Sequence, residues 1–293
     1  MKSLTFFVVL LALVFSVDAQ SDYVKSVEKW RAAHEAELKD ENGWLTVAGL
    51  FWLKNGVNTV GAGAGFDVEL TENFKQKKFG TIDFRDGRAI LKVEDGVEAV
   101  SDGKTVSGIE LVSDEKGKPT RVETGSQTFY LIRREDRFGI RLKDKNYKAR
   151  SEFKGLKWFP IDPRYKVEAV LEPYPEPKEI LIPNMLGGNF RMKSPGVLRF
   201  ELKGKKYALE PVLEEGLDEL FIVFRDPTSR TETYGAGRFL YANKNANGRV
   251  ELDFNKAENP PCAYTSFATC PLPPPQNRLP IAIKAGEKRY GKH

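Results

Sequence analysis

The stretch "GTIDFRDGRAILKVEDG", residues 80–96, decides how this chain is to be read. Ile82 and Phe84 alternate with Thr81, Asp83 and Arg85, and after Asp86-Gly87 the alternation resumes with Ala89, Leu91 and Val93. A period of two belongs to a strand with one buried face. Asp-Gly suits the primed two-residue turns whose twist matches paired strands. The stretch therefore predicts a β-hairpin.

The same grammar extends in both directions. "WLTVAGLFWL", "NTVGAG", "GFDVEL", "SGIELVSD", "TFYLIRRED" and "FGIRLKD" read as short strands bounded by Gly, Asp and Asn turns. Beyond the polar "KDKNYKARSE", "YKVEAVLEP", "EILIP", "GVLRFELKGKKYALEPVLEE", "ELFIVFRD", "TYGAGRFLYA" and "GRVELDFN" repeat it, with turns at Gly204 and Asn247-Gly248. Regular strand spacing without intervening helices predicts a mainly β protein, with antiparallel sandwich or barrel halves. The acidic "LEEGLDEL", 213–220, reads as a hairpin turn with solvated charges.

One segment departs from this pattern. In "DYVKSVEKWRAAHEAELK", 22–39, Tyr23, Val27, Trp30, His34 and Leu38 recur at helical spacing. Asp22 is placed to cap this helix, and "ENG" at 41–43 to end it. His34 on that face reads as a packing residue. Before it, Lys2, the apolar "LTFFVVLLALVF" and small Val17 and Ala19 form the pattern of a secretory signal peptide. The expected organisation is a signal peptide at 1–19, a helix within 20–42, a β-sandwich at 43–148 and a second antiparallel β-domain at 149–293. Cleavage leaves no expected transmembrane segment and an exported protein, periplasmic or extracellular, starting at Gln20.

Composition removes several function classes. The 293 residues carry a formal charge of +5, and basic residues are mixed with nearly as many acidic ones. Nucleic-acid binding needs a basic stripe, which is missing. The two histidines, His34 and His293, are poorly placed for a Ser-His-Asp apparatus, and no metal or cofactor is expected. Export makes a Cys262–Cys270 disulfide the expected state of the only two cysteines, inside the proline-rich "NPPCAYTSFATCPLPPP".

Candidate ligand-binding residues cluster near that clasp. Strand alternation in "TYGAGRFLY" would put Tyr234 and Arg238 on one face, and two glycines there suggest close approach of backbone or ligand. The Arg238 fork suits a carboxylate or phosphate. Alternation in "LDFNKAEN" would likewise put Asp253 and Asn255 on one face, while Asn259 and Arg278 bracket the clasp. Arg238 and Asp253 either form an ion pair between strands or line a pocket. Arg150, Trp158, Tyr165 and Trp44 or Trp52 are further candidates for a recessed wall.

The blocks "NGWLTVAGLFWLKNGVNTVGAG", "RFGIRLKD", "FKGLKWFPIDPRYKVEA", "DELFIVFRDPTSRTETYGAGRFLYA" and "LDFNKAENPPCAYTSFATCPLPPPQNRLPIAIKAGEKRY" resemble the DUF1684 family, over nearly the whole chain after residue 40. That resemblance implies an exported or cytoplasmic all-β protein with no established activity. More weakly, "LKNGVNTVGAGAGFDVEL" with the 80–96 hairpin is similar to the opening of a forkhead-associated sandwich. Such domains read phosphothreonine through an Arg after the Gly turn and a Ser-x-x-His. Here Ala62 follows Gly61 and no His lies in the region, so the bidentate phosphate contact is missing. The function expected is binding of a small anionic or polar ligand. The alternatives are a carboxylate-based hydrolase of the cell envelope and a structural or assembly protein.

Overall fold

The computed structural model describes residues 3–214, 216–243 and 248–291. The expected signal peptide starts outside the described residues, at Met1 and Lys2; Asn247 of the expected turn and His293 also lie outside them. The chain is mainly β, with antiparallel sheets and one long N-terminal helix, Ser3–Lys39. Because that helix runs unbroken through residue 22, Asp22 is not its cap and instead faces Lys25 at 3.4 Å. Val27 and Leu38 are buried, whereas Tyr23, Trp30 and His34 on the same face are half-buried. No helix among the described residues is long and apolar enough to cross a membrane.

The described chain divides into two compact units. One comprises Glu37–Lys154 with Tyr264–Ala268; the other comprises residues up to Ala36, Gly155–Ala263 and the chain from Thr269 onward. The Glu37–Lys154 unit holds two sheets. The first orders Val47–Trp52, Arg137–Asp144, Gln127–Arg134, Arg121–Thr124, Val100–Ser101 and Lys104–Thr105. The second orders Val68–Leu70, Gly56–Ala62, Lys78–Arg85, Arg88–Val93 and Gly108–Leu111, antiparallel except where Gly56–Ala62 meets Val68–Leu70. The 80–96 hairpin forms in the expected register, Arg85 opposite Arg88. Asp86 and Gly87 both have positive φ, as the type I′ turn requires. Phe79, Ile82 and Leu91 of one sheet share a core with Phe129, Leu131 and Ile140 of the other, which makes this unit a sandwich. The Phe79 and Phe129 rings meet edge to face at 5.4 Å.

The other unit carries a seven-stranded antiparallel sheet. Its order is Arg238–Ala242, Leu220–Phe224, Val212–Leu213, Asn189–Leu202, Lys166–Pro183 and Arg249–Asp253, and Lys205–Leu209 also pairs with Asn189–Leu202. Leu198, Phe200 and Leu202 enter its core while Arg199 and Glu201 stay outside, the alternation expected of a half-buried strand. "LFIVF" at 220–224 is buried on both faces. Leu220, Ile222 and Phe224 join the core, and Phe221 packs on Phe239 and Tyr241. From Phe254 on, the chain leaves the sheet, and this unit's share of it, up to Ala263 and again from Thr269, runs through short 3-10 turns.

Candidate functional site

Arg238 opens the edge strand of the seven-stranded sheet, and its environment is closed by protein. The side chain is 1% exposed. Nη2 donates to Asp226 Oδ1 at 3.2 Å and to the Ile283 carbonyl at 2.9 Å, while Nη1 donates to the Ala285 carbonyl. Asp226 caps the turn Pro227–Arg230, accepting from the backbone N–H of Thr228, and also accepts the Ile283 N–H at 2.7 Å. The hub therefore ties two strand ends to the C-terminal segment. Burial draws the guanidinium pKa down and Asp226 opposes that shift. The expected Arg238–Asp253 pair does not exist, because Asp226, 12 residues before Arg238, takes the partner's place. The glycine signal marks a close approach of backbone: Gly237 has φ +106° and packs against Pro273 and the Phe224 carbonyl. Residues 234–237 precede the strand, so alternation does not govern Tyr234. Its hydroxyl donates to the Cys262 carbonyl at 3.0 Å.

Asp253 and Asn255 do come together, although not by strand alternation. Asp253 ends its strand and caps the following turn, accepting the Asn255 N–H at 3.1 Å. Tyr23 of the helix donates to Asp253 Oδ1 at 2.8 Å and accepts from Asn255 Nδ2 at 2.9 Å. Burial and Asp253 together push the Tyr23 phenol pKa up. Asn255 Oδ1 accepts the Asp162 N–H, so protein groups occupy this amide completely. Arg31, about two turns further along the helix, donates to the Asn255 carbonyl and lies 4.7 Å from the centre of the Trp158 ring.

A second polar cluster continues the row. Asn259 Nδ2 donates to Glu287 Oε1 at 2.6 Å and its backbone N–H to Glu287 Oε2 at 2.8 Å. His34 brings Nδ1 to 3.3 Å from Glu258 Oε2 and Nε2 to 3.8 Å from Glu287 Oε2. Trp30 stacks on His34 at 5.4 Å, and Trp158, whose Nε1 donates to Glu35, meets its edge. Burial lowers the His34 pKa to about 4 against the opposing pull of Glu35, so the ring is neutral at neutral pH. His34 packs on Trp30, as its place on the helical face implies, and also meets two carboxylates. Periodicity placed it on the inward face, but nothing local announced Glu258 or Glu287.

The remaining candidates lie apart. Arg278 is exposed, and its backbone bridges to Arg225. Tyr165 is a core residue whose hydroxyl accepts from Lys203. Arg150 binds the carbonyls of Lys39 and Lys145. The expected disulfide is absent. Cys262 and Cys270 are not bonded to each other, and Cys270 Sγ accepts the Cys262 N–H at 3.1 Å. The two cysteines are not at disulfide distance. Among the described residues, no three His, Cys, Asp or Glu side chains gather to hold a metal.

One groove of about 700 Å³ lies on the seven-stranded unit. It is lined by Arg191, Met192, Lys193, Leu213, Glu214 and Leu217. Arg191 and Lys193 share a strand face because they are two residues apart. Arg191 meets Glu179 at 2.7 Å. Burial pushes the Glu214 carboxyl pKa up, opposed by a hydrogen bond with Tyr241. Sequence reasoning missed this groove, since its basic and apolar walls come from strands joined only through tertiary pairing.

None of the curated proteins matches the chain. Among solved structures it is similar to the solution NMR structure of the uncharacterized protein from gene locus rrnAC0354 of Haloarcula marismortui. The two share 33% identity over 47% of this chain and 78% of that one, with a TM-score of 0.40. A family model described as "Protein of unknown function (DUF1684)" matches residues 151–288. Those residues include the Arg238 hub, the Asn259–Glu287 cluster and the two-cysteine segment, and the chain belongs to the DUF1684 family.

Proposed function

We propose that this is an exported β-protein that binds a small ligand carrying an anionic head and an apolar tail, in the groove beside Arg191 and Lys193. The observation that carries the reading is the groove's lining: two cations on one strand face beside Met192, Leu213 and Leu217. Small-molecule sites are concave and largely apolar, with a few placed polar groups. Arg191 gives one guanidinium nitrogen to Glu179 and keeps its other N–H groups for a carboxylate, and Lys193 adds a second positive charge. The raised pKa of Glu214 makes that carboxyl easier to protonate, which lessens its repulsion of an anion.

Titration calorimetry with octanoate tests the proposal, with octanol and octylammonium as controls. Saturable binding of octanoate is expected, weakened at least tenfold by Arg191→Gln combined with Lys193→Gln. Equal affinity for octanol, or unchanged affinity in the double variant, refutes it. Export is tested separately by the N-terminal peptide of protein from the native host. Gln20 at the start is expected, and retention of Met1 overturns it.

A further inference from the structure

Hydrogen-bonding capacity left unmet by the protein concentrates where the helix faces residues 253–259. Arg31 Nε, His34 Nε2, Asp253 Oδ2 and Asn259 Oδ1 are all buried there without a hydrogen-bond partner. Buried polar atoms in native proteins are otherwise almost always satisfied, by protein, ordered water or ligand. Two of the four belong to the His34 cluster. His34 is 10% exposed and Asn259 2% exposed.

The chemistry of those two atoms is uniform. With Nδ1 turned to Glu258, the neutral imidazole carries its proton there and leaves Nε2 as an acceptor. Asn259 commits both Nδ2 hydrogens, to Glu287 Oε1 and the Lys288 carbonyl, which leaves Oδ1 an acceptor as well. Glu287 Oε2 stands 3.8 Å from Nε2, and a single donor nitrogen can lie about 2.9 Å from two acceptors so spaced. A primary ammonium supplies three donors and no acceptor.

We propose that His34, Asn259 and Glu287 form a second binding site, specific for a small protonated primary amine. His34 Nε2 and the Glu287 carboxylate take its N–H groups, and Glu258 holds the imidazole in the required tautomer. This site is separate from the Arg191–Lys193 groove, whose charge has the opposite sign, and it stands whether or not that groove binds a ligand.

The chain has only two histidines, so imidazole NMR reads His34 directly once the His293 signal is assigned by deleting the last residue. Ethylammonium is added to the full chain near pH 7, with ethanol and tetramethylammonium as parallel probes. A saturable shift of the His34 Nε2 resonance with ethylammonium alone is expected, together with a rise in Tm that His34→Phe abolishes. A response to ethanol of the same size would mean a water-filled polar void and overturn the proposal. So would a response to tetramethylammonium, which has no N–H, or no shift at tens of millimolar amine. The wild-type comparison of the three probes decides the matter even if His34→Phe fails to fold.

Discussion

Replacing Arg238 with methionine removes a charge from the most enclosed ion pair in the described chain. Arg238 and Asp226 have side-chain exposures of 1% and 0%. The substitution keeps most of the apolar stem but leaves the Asp226 carboxylate without its cation, and it removes a donor from the Ile283 and Ala285 carbonyls. Breaking a buried pair on one side costs about 3–5 kcal/mol. Thr228 and the Ile283 N–H still donate to Asp226, which places the expected loss at the lower end of that range. Asp226→Asn, leaving the cation, should cost a similar amount. The double variant should lose less than the sum by about 1–3 kcal/mol, because neither charge then stays buried alone. Urea denaturation of the four proteins measures this coupling. Arg238→Met with Asp253→Asn is the control and should be additive within about 0.5 kcal/mol, since those residues have separate partners. A loss below about 1 kcal/mol for Arg238→Met, or additivity with Asp226→Asn, would refute the hub.

Three further outcomes are expected. His34 has a folded pKa of about 4 against about 6.5 unfolded, so the unfolded chain binds the proton first as the pH falls. Its contribution is complete above pH 6.5 and shrinks by about 3 kcal/mol on the way to pH 4; His34→Gln should flatten that part of the stability profile, and an unchanged slope would contradict it. Gly237→Ala puts a Cβ 2.5 Å from Pro273 Cγ at a positive φ and should destabilise by more than about 2 kcal/mol. Gly204→Ala, with open space around it, should lose about 1 kcal/mol, and the reverse order in thermal melts would show that the close approach is relaxed. Alkylation without reductant should label both cysteines. Cys262 should react first, because it is less buried than Cys270 and its pKa is lowered by the Cys270 hydrogen bond; an unlabelled, fully denatured chain would mean that the two are bonded.

Much of the candidate chemistry was visible as residue type but not as partnership. "RDPTSR" shows an Asp before Pro at a helix start, a capping signal that could have drawn attention to Asp226. No periodicity ties that Asp to Arg238, because the intervening chain is a turn. Strand alternation groups Asn255 with Asp253, but the strand ends at Asp253 and the cap supplies the contact. Asn259 stands out beside the clasp, but its partner Glu287 is 28 residues away with seven prolines between them, and no local rule counts across such a run.

Local structure is legible in the residues alone: the 80–96 hairpin, the alternating strands, the helical face from Tyr23 to Leu38 and the mainly β class. These follow from side-chain period and turn chemistry, which act over a few residues. Which charges meet depends on the folded chain. It paired Arg238 with Asp226, not Asp253, and brought His34 to Glu258 and Glu287. It also left the two cysteines unbonded to each other. Burial is the physical reason. A charge taken from water must find a counter-charge or donors within a few ångströms, and the fold alone sets which groups lie that close.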